Sequence, residues 1–182
     1  ILFSKGDGNF FDVFEKLNSK ISINFNTIYI TNEDYLNSFK ADIIVNNNQI
    51  KDLILSSQFS TKEDLKLSIK TNSNNERITD LFAGNAKPLV KKYDFIKGFE
   101  GGYLKFDSIE KNKVSNSNLK IFDFKLKEVP ALTKLLTLAS LQGIADLLTG
   151  EGIRFNEFEM IFNNKDGLMT IEEIYSLGPS IS

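Results

Sequence analysis

The chain contains no cysteine, no histidine and no tryptophan, and only three prolines in 182 residues. Without cysteine there is no disulfide, no thiol nucleophile and no thiolate metal site. Without histidine there is no imidazole ligand, and the usual general base of hydrolases is missing. Any catalysis would rest on carboxylates, Lys, Ser or Tyr. No charge of one sign dominates either: 22 Lys and Arg stand against 24 Asp and Glu, a formal net charge of −2. The basic residues are scattered apart from short pairs such as Lys91-Lys92. A nucleic-acid partner is therefore not expected.

What is present is an ordinary globular balance, 41% hydrophobic and 25% charged, with enough apolar mass for a core. The chain begins at Ile1 without Met and stops at "GPSIS", where a strand-like pattern is unfinished. It reads as an excerpt of a larger protein, although a processed N-terminus would look the same. The absence of cysteine fits an oxidising compartment such as a periplasm without requiring one.

From Lys20 onward the pattern is mainly that of strands. "KISINFN" sets Ile21, Ile23 and Phe25 on one face, and after Thr27 the phase flips to Ile28 and Ile30. "ADIIVNN" and "QIKDLILSSQF" are two strands joined by Asn46-Asn47-Asn48, and "DLKLSIK" alternates Leu65, Leu67 and Ile69 against Lys66, Ser68 and Lys70. Such short strands at hairpin spacing predict an antiparallel meander. "NAKPLVKKYDF" breaks the pattern. Asn85 can cap and Pro88 suits a first turn, which predicts a short helix near 85–94. Gly101-Gly102 predicts a sharp turn into the next strand.

Two later strands show the flip again. In "NLKIFDFKLK", Leu119 and Ile121 have one parity and Phe122, Phe124 and Leu126 the other; a bulge with one extra residue would bring all five to one face. "GIRFNEFEMIF" repeats this with Ile153 and Phe155, then Phe158, Met160 and Phe162. Recurring flips suit a strongly twisted or curved sheet. Two partly buried faces would give the same pattern.

"PALTKLLTLASLQGIADLLTGEGIRF" is the one long apolar stretch. On a helical projection Leu132, Leu136, Ile144, Leu147 and Leu148 form a broad apolar arc opposite Lys134, Gln142 and Asp146. A membrane span needs about 20 mostly apolar residues, and Asp near its centre costs about 2.5–3.5 kcal/mol. The segment reads instead as a helix near 130–149 packed on the sheet. The expected architecture is thus α+β and mostly β: an antiparallel meander forming a twisted, curved open sheet or groove carrying two helices. Within this single excerpt the meander covers 1–84, the short helix and further strands 85–129, and the apolar helix and a C-terminal hairpin 130–182.

No motif carries enzyme chemistry. "FNNKDGLMTIEE" places Asn164, Asp166, Gly167 and Glu173 as in a calcium-binding EF-hand loop, but Phe162 occupies the first ligand position. Asp166-Gly167 between two apolar runs is also a hairpin signal, and the hairpin is the preferred reading. "GDGN" and "EGG" are too short for phosphate loops.

Taken together, the residues from Leu119 to Ser182 resemble the C-terminal region of AsmA-like bacterial envelope proteins. The resemblance rests on the order of Phe122 to Phe124, Pro130 to Leu132, Ser140 to Ile144, Gly150 to Phe155, Asp166-Gly167 and Gly178-Pro179. Upstream, "NAKPLVKKYDFIKGFEGGYLKFDS" is similar to that family's short helix and Gly-Gly strand, with Asn85-Ala86-Lys87 where Asp-Ala-Gly would be expected. The resemblance implies a periplasmic domain of a protein held in the inner membrane by an anchor outside this chain. It implies a non-enzymatic curved β-groove, without cofactor, that moves phospholipid toward the outer membrane, with phospholipid acyl chains and other envelope proteins as partners. Candidate lining residues are Leu119, Ile121, Phe122, Phe124, Leu126, Leu132, Leu136, Ile144, Phe155, Phe158, Met160 and Phe162. The alternative is a structural or assembly module of the envelope with a closed core and no lipid cargo.

Overall fold

The structure is a computed structural model that describes residues 18–47, 49–93, 98–127 and 152–179. Nine strands follow one another: β1 (Ser19–Tyr29), β2 (Tyr35–Asn46), β3 (Gln49–Phe59), β4 (Asp64–Thr71), β5 (Arg77–Ala83), β6 (Phe99–Lys111), β7 (Val114–Leu126), β8 (Ile153–Lys165) and β9 (Leu168–Leu177). One short helix, α1 (Lys87–Tyr93), stands between β5 and β6. The strands form a single antiparallel sheet in sequence order, from β1 at one edge to β9 at the other.

Local chemistry explains the sharp reversals. Asp166 and Gly167 both have positive φ, 53° and 81°, the pair of left-handed residues that a tight hairpin needs. Asn47 (φ 48°) and Asn112 with Lys113 (φ 53° and 63°) turn the chain after β2 and β6. At Asn72 the side-chain carboxamide oxygen accepts from the backbone N–H of Asn74 and Glu76 and so closes the β4–β5 turn. The helix begins where Asn85 Oδ1 accepts the Lys87 N–H at 3.2 Å.

Antiparallel registry and strand alternation sort the side chains onto two faces. One carries the core, in which Leu36, Phe59, Leu65, Ala83, Leu104 and Ile121 pack together with Ala86 and Val90 from the α1 region. The helix therefore covers one end of that face, and the Lys91–Glu33 ion pair at 2.9 Å ties it to the β1–β2 turn. Beyond Ile121 the core continues through Phe124, Leu126, Ile153, Phe155 and Phe99. Phe124 is stacked between Phe99 and Phe155, with ring centroids 5.1 and 4.7 Å away.

The phase flips are real, but their mechanism differs from the expectation. No extra residue is inserted between β6, β7 and β8; the three strands stay in step along their whole pairing. Instead Gly102 (φ 76°) and Asp123 (φ 53°) stand opposite one another and both strands reverse their facing there. Phe122 is thereby not brought to the core face. It lies on the other face, stacked on Tyr103 at 4.8 Å and under the Lys105 ammonium at 5.7 Å. Gly101-Gly102 is likewise no turn but the interior of β6. A bulge with an extra residue does occur elsewhere, between Asn37 and Lys40 of β2, where Ser57 Oγ donates to the Asn37 carbonyl at 2.7 Å.

Asp166-Gly167 forms the expected hairpin, so Glu173 is carried away along β9 to pair with Ile161 rather than closing a loop around Asp166. Leu132, Leu136, Ile144 and the expected helix near 130–149 lie outside the described residues. Among the described residues, no helix is long and apolar enough to cross a membrane.

Candidate functional site: an apolar row across nine strands

The pairing registers bring together one residue from each strand in a continuous row: Ile23, Ala41, Leu55, Leu67, Leu81, Phe106, Leu119, Met160 and Ile174. Every one is apolar. Neighbouring strands lie about 4.8 Å apart, so eight steps give a stripe of roughly 38 Å. A second row on the same face runs through Ser57, Leu65, Ala83, Leu104, Ile121 and Phe158, toward the end that α1 covers. A cleft of about 470 Å³ over β3 to β6 takes most of its lining from the opposite face, Ile54, Ser56, Lys66, Asp80, Phe82 and Lys105 among them, so it does not mark the stripe.

The opposite face has the complementary chemistry. Residues one position along give the row Asn24, Lys40, Ser56, Lys66, Phe82, Lys105, Lys120, Glu159 and Tyr175. Lys120 there bonds Glu159 at 3.0 Å, and Asn118 Nδ2 donates to the same carboxylate at 2.8 Å. These donors hold the Glu159 carboxyl below the ordinary carboxylate range, and Glu159 in turn raises the Lys120 ammonium. Asp107, on the same face and paired with Asp80, is pushed up, first by burial and then by the Asp80 charge.

One face thus has charge, hydrogen bonds and cations over rings, while the other has a stripe without a single polar side chain. Such a stripe removes hydrocarbon from water at about 0.8 kcal/mol per CH₂. It offers nothing to polarise a bond or move a proton. Among the described residues no group of three or more acidic side chains could hold a metal ion.

The expected lining residues divide three ways. Leu119, Ile121, Phe158, Met160 and Phe162 lie on the apolar face, with Phe106 stacked toward Phe162 at 6.4 Å. Phe124, Leu126 and Phe155 are buried at 4–6% exposure in the aromatic end of the core, where they hold the fold together. Phe122 belongs to the polar face. Sequence reasoning missed Ile23, Leu55, Leu81 and Phe106 as lining residues. The signal was the strict alternation already visible at Leu65, Leu67 and Ile69, which applies equally to their neighbours once the register is known.

No protein-family model, curated protein or solved structure matches this chain significantly.

Proposed function

We propose that this chain is a segment of an AsmA-like, lipid-handling β-groove on the periplasmic side of the bacterial inner membrane. The observation that carries the reading is the nine-residue apolar row crossing all nine strands. It supplies a lengthwise hydrocarbon surface. Phospholipid acyl chains lie on this face, and the polar face looks toward water. The sheet continues the path between inner and outer membrane, anchored through a segment outside this chain. The role is transport and outer-membrane biogenesis, not catalysis.

A second reading, a structural module of the envelope with a closed core, is favoured by the burial of Leu53 and Ile69 on the same face, at 9% and 8% exposure. The two separate on one experiment. The chain is purified without detergent and its retained lipids are identified by mass spectrometry. Phospholipid in stable proportion, lost in a folded Leu67→Asp variant, supports the groove. A folded, lipid-free protein supports the module.

A further inference from the structure

The core face is not apolar over its whole breadth. One row nearer the β4–β5, β6–β7 and β8–β9 turns, Thr79, Ser108 and Ser117 stand opposite one another on β5, β6 and β7. Ser108 and Ser117 are buried, and the Ser117 hydroxyl donates to Ser108 Oγ at 2.9 Å. In such a pair one O–H is spent on the partner and the other remains for a further acceptor. Another row outward, Arg77, Glu110, Ser115 and Asn164 are opposed. The Arg77 guanidinium reaches Glu110 only at 3.8 Å, too far for a hydrogen bond. Its Nε is buried without an acceptor, a costly state for a charged donor. On the far side of Glu110, and not lined by Arg77, is a recess of about 400 Å³ bounded by Lys113, Ser115, Asn164 and the acidic Glu110 and Asp166.

Rows on one face are two residues, about 7 Å, apart along the strands. From the turns inward the face therefore presents a guanidinium, then hydroxyls, then two apolar rows. The same order runs through a glycerophospholipid from phosphate through ester oxygens to acyl chain. We propose that Arg77, Ser108 and Ser117 form a headgroup subsite, Arg77 pairing with the lipid phosphate and the remaining Ser108 O–H with an ester oxygen, while Ser117 donates to Ser108. The acyl chain then lies on Leu81, Phe106 and Leu119. Glu110 holds the unoccupied guanidinium loosely and gives way to the stronger, bidentate phosphate. The inference rests on the groove reading and adds a fixed polarity to the lipid within it.

The test is displacement of a fluorescent fatty acid from the full chain. The competitors are dihexanoylphosphatidylglycerol, dihexanoylglycerol with the same chains but no phosphate, and inorganic phosphate. The phospholipid is expected to displace the probe at about tenfold lower concentration than the diacylglycerol, as one charge-assisted contact provides. Arg77→Gln removes that preference and leaves displacement by dihexanoylglycerol unchanged. Because the contact is ionic and near the surface, the wild-type preference also shrinks as salt is raised, a readout independent of how any variant folds. Equal displacement by both lipids, a preference that survives in Arg77→Gln or in high salt, or displacement by inorganic phosphate alone would each overturn the subsite. A chain that takes up no fluorescent fatty acid overturns the groove itself, and the subsite with it.

Discussion

Gly102 and Asp123 face each other across β6 and β7, both with left-handed backbone, and at that pair the two strands exchange faces without losing register. A side chain at Gly102 would place its Cβ 2.9 Å from the Phe122 carbonyl oxygen and 2.9 Å from Phe124 Cβ. The positive φ of 76° adds strain that no L-residue avoids. Gly102→Ala is expected to cost roughly 2–3 kcal/mol and to lower the melting temperature by about 4–12 °C. Asp123→Gly, which relieves a left-handed non-glycine, should melt at or above wild type. Calorimetry of both variants checks the pair.

The two phenylalanines flanking that pair separate cleanly. Phe124 is 4% exposed and stacked on both sides, so Phe124→Ala should cost about 3–5 kcal/mol. Phe122 lies half-buried on the polar face against Tyr103, and its removal should cost under about 2 kcal/mol. Denaturant melts that gave the two equal effects would contradict the facing assigned here.

On the apolar stripe, Leu67→Asp should strip retained lipid from a folded chain. Its control is Ile54→Asp, one strand away on the opposite face and 56% exposed, which should retain lipid as wild type does. Lipid mass spectrometry with a circular dichroism melt on each reads both outcomes.

Acidification acts on two carboxylates of the polar face in opposite senses. Asp107 is raised above its unfolded value by burial and by Asp80, with Glu159 adding a little and Lys120 opposing. Its ionisation therefore disfavours the folded state at neutral pH, and stability is regained as pH falls through its folded pKa. Glu159 is lowered by Lys120 and Asn118, so its contribution is present above the unfolded pKa and is lost as pH falls through the depressed one. At pH 7 Asp107→Asn should raise the melting temperature and Glu159→Gln lower it, with both differences shrinking toward pH 3. Melts across that range test the signs.

Much of the sheet was legible from alternation alone. "DLKLSIK" is a strand, Asp166-Gly167 a hairpin, and Asn85 a helix start, because each depends on one or two residues and their own backbone preferences. Phe122 was misplaced for a reason of the same kind. Parity groups it with Phe124 and Leu126, and only the left-handed turn at Asp123, matched by Gly102 on the neighbouring strand, sends it to the other face. The glycine pair was visible in the sequence, yet its role as an in-strand reversal depends on a partner twenty-one residues away.

Composition by itself determined that this chain cannot use thiol or imidazole chemistry, and periodicity determined that it builds one-faced strands. Those properties are local, carried by residue type and by the two-residue repeat of an extended chain. Which nine residues join into one apolar row, and that Arg77 and Ser108 border it, was decided only by the tertiary structure. Register between strands is a long-range relation, and a slip of one residue in any pair would have broken the stripe.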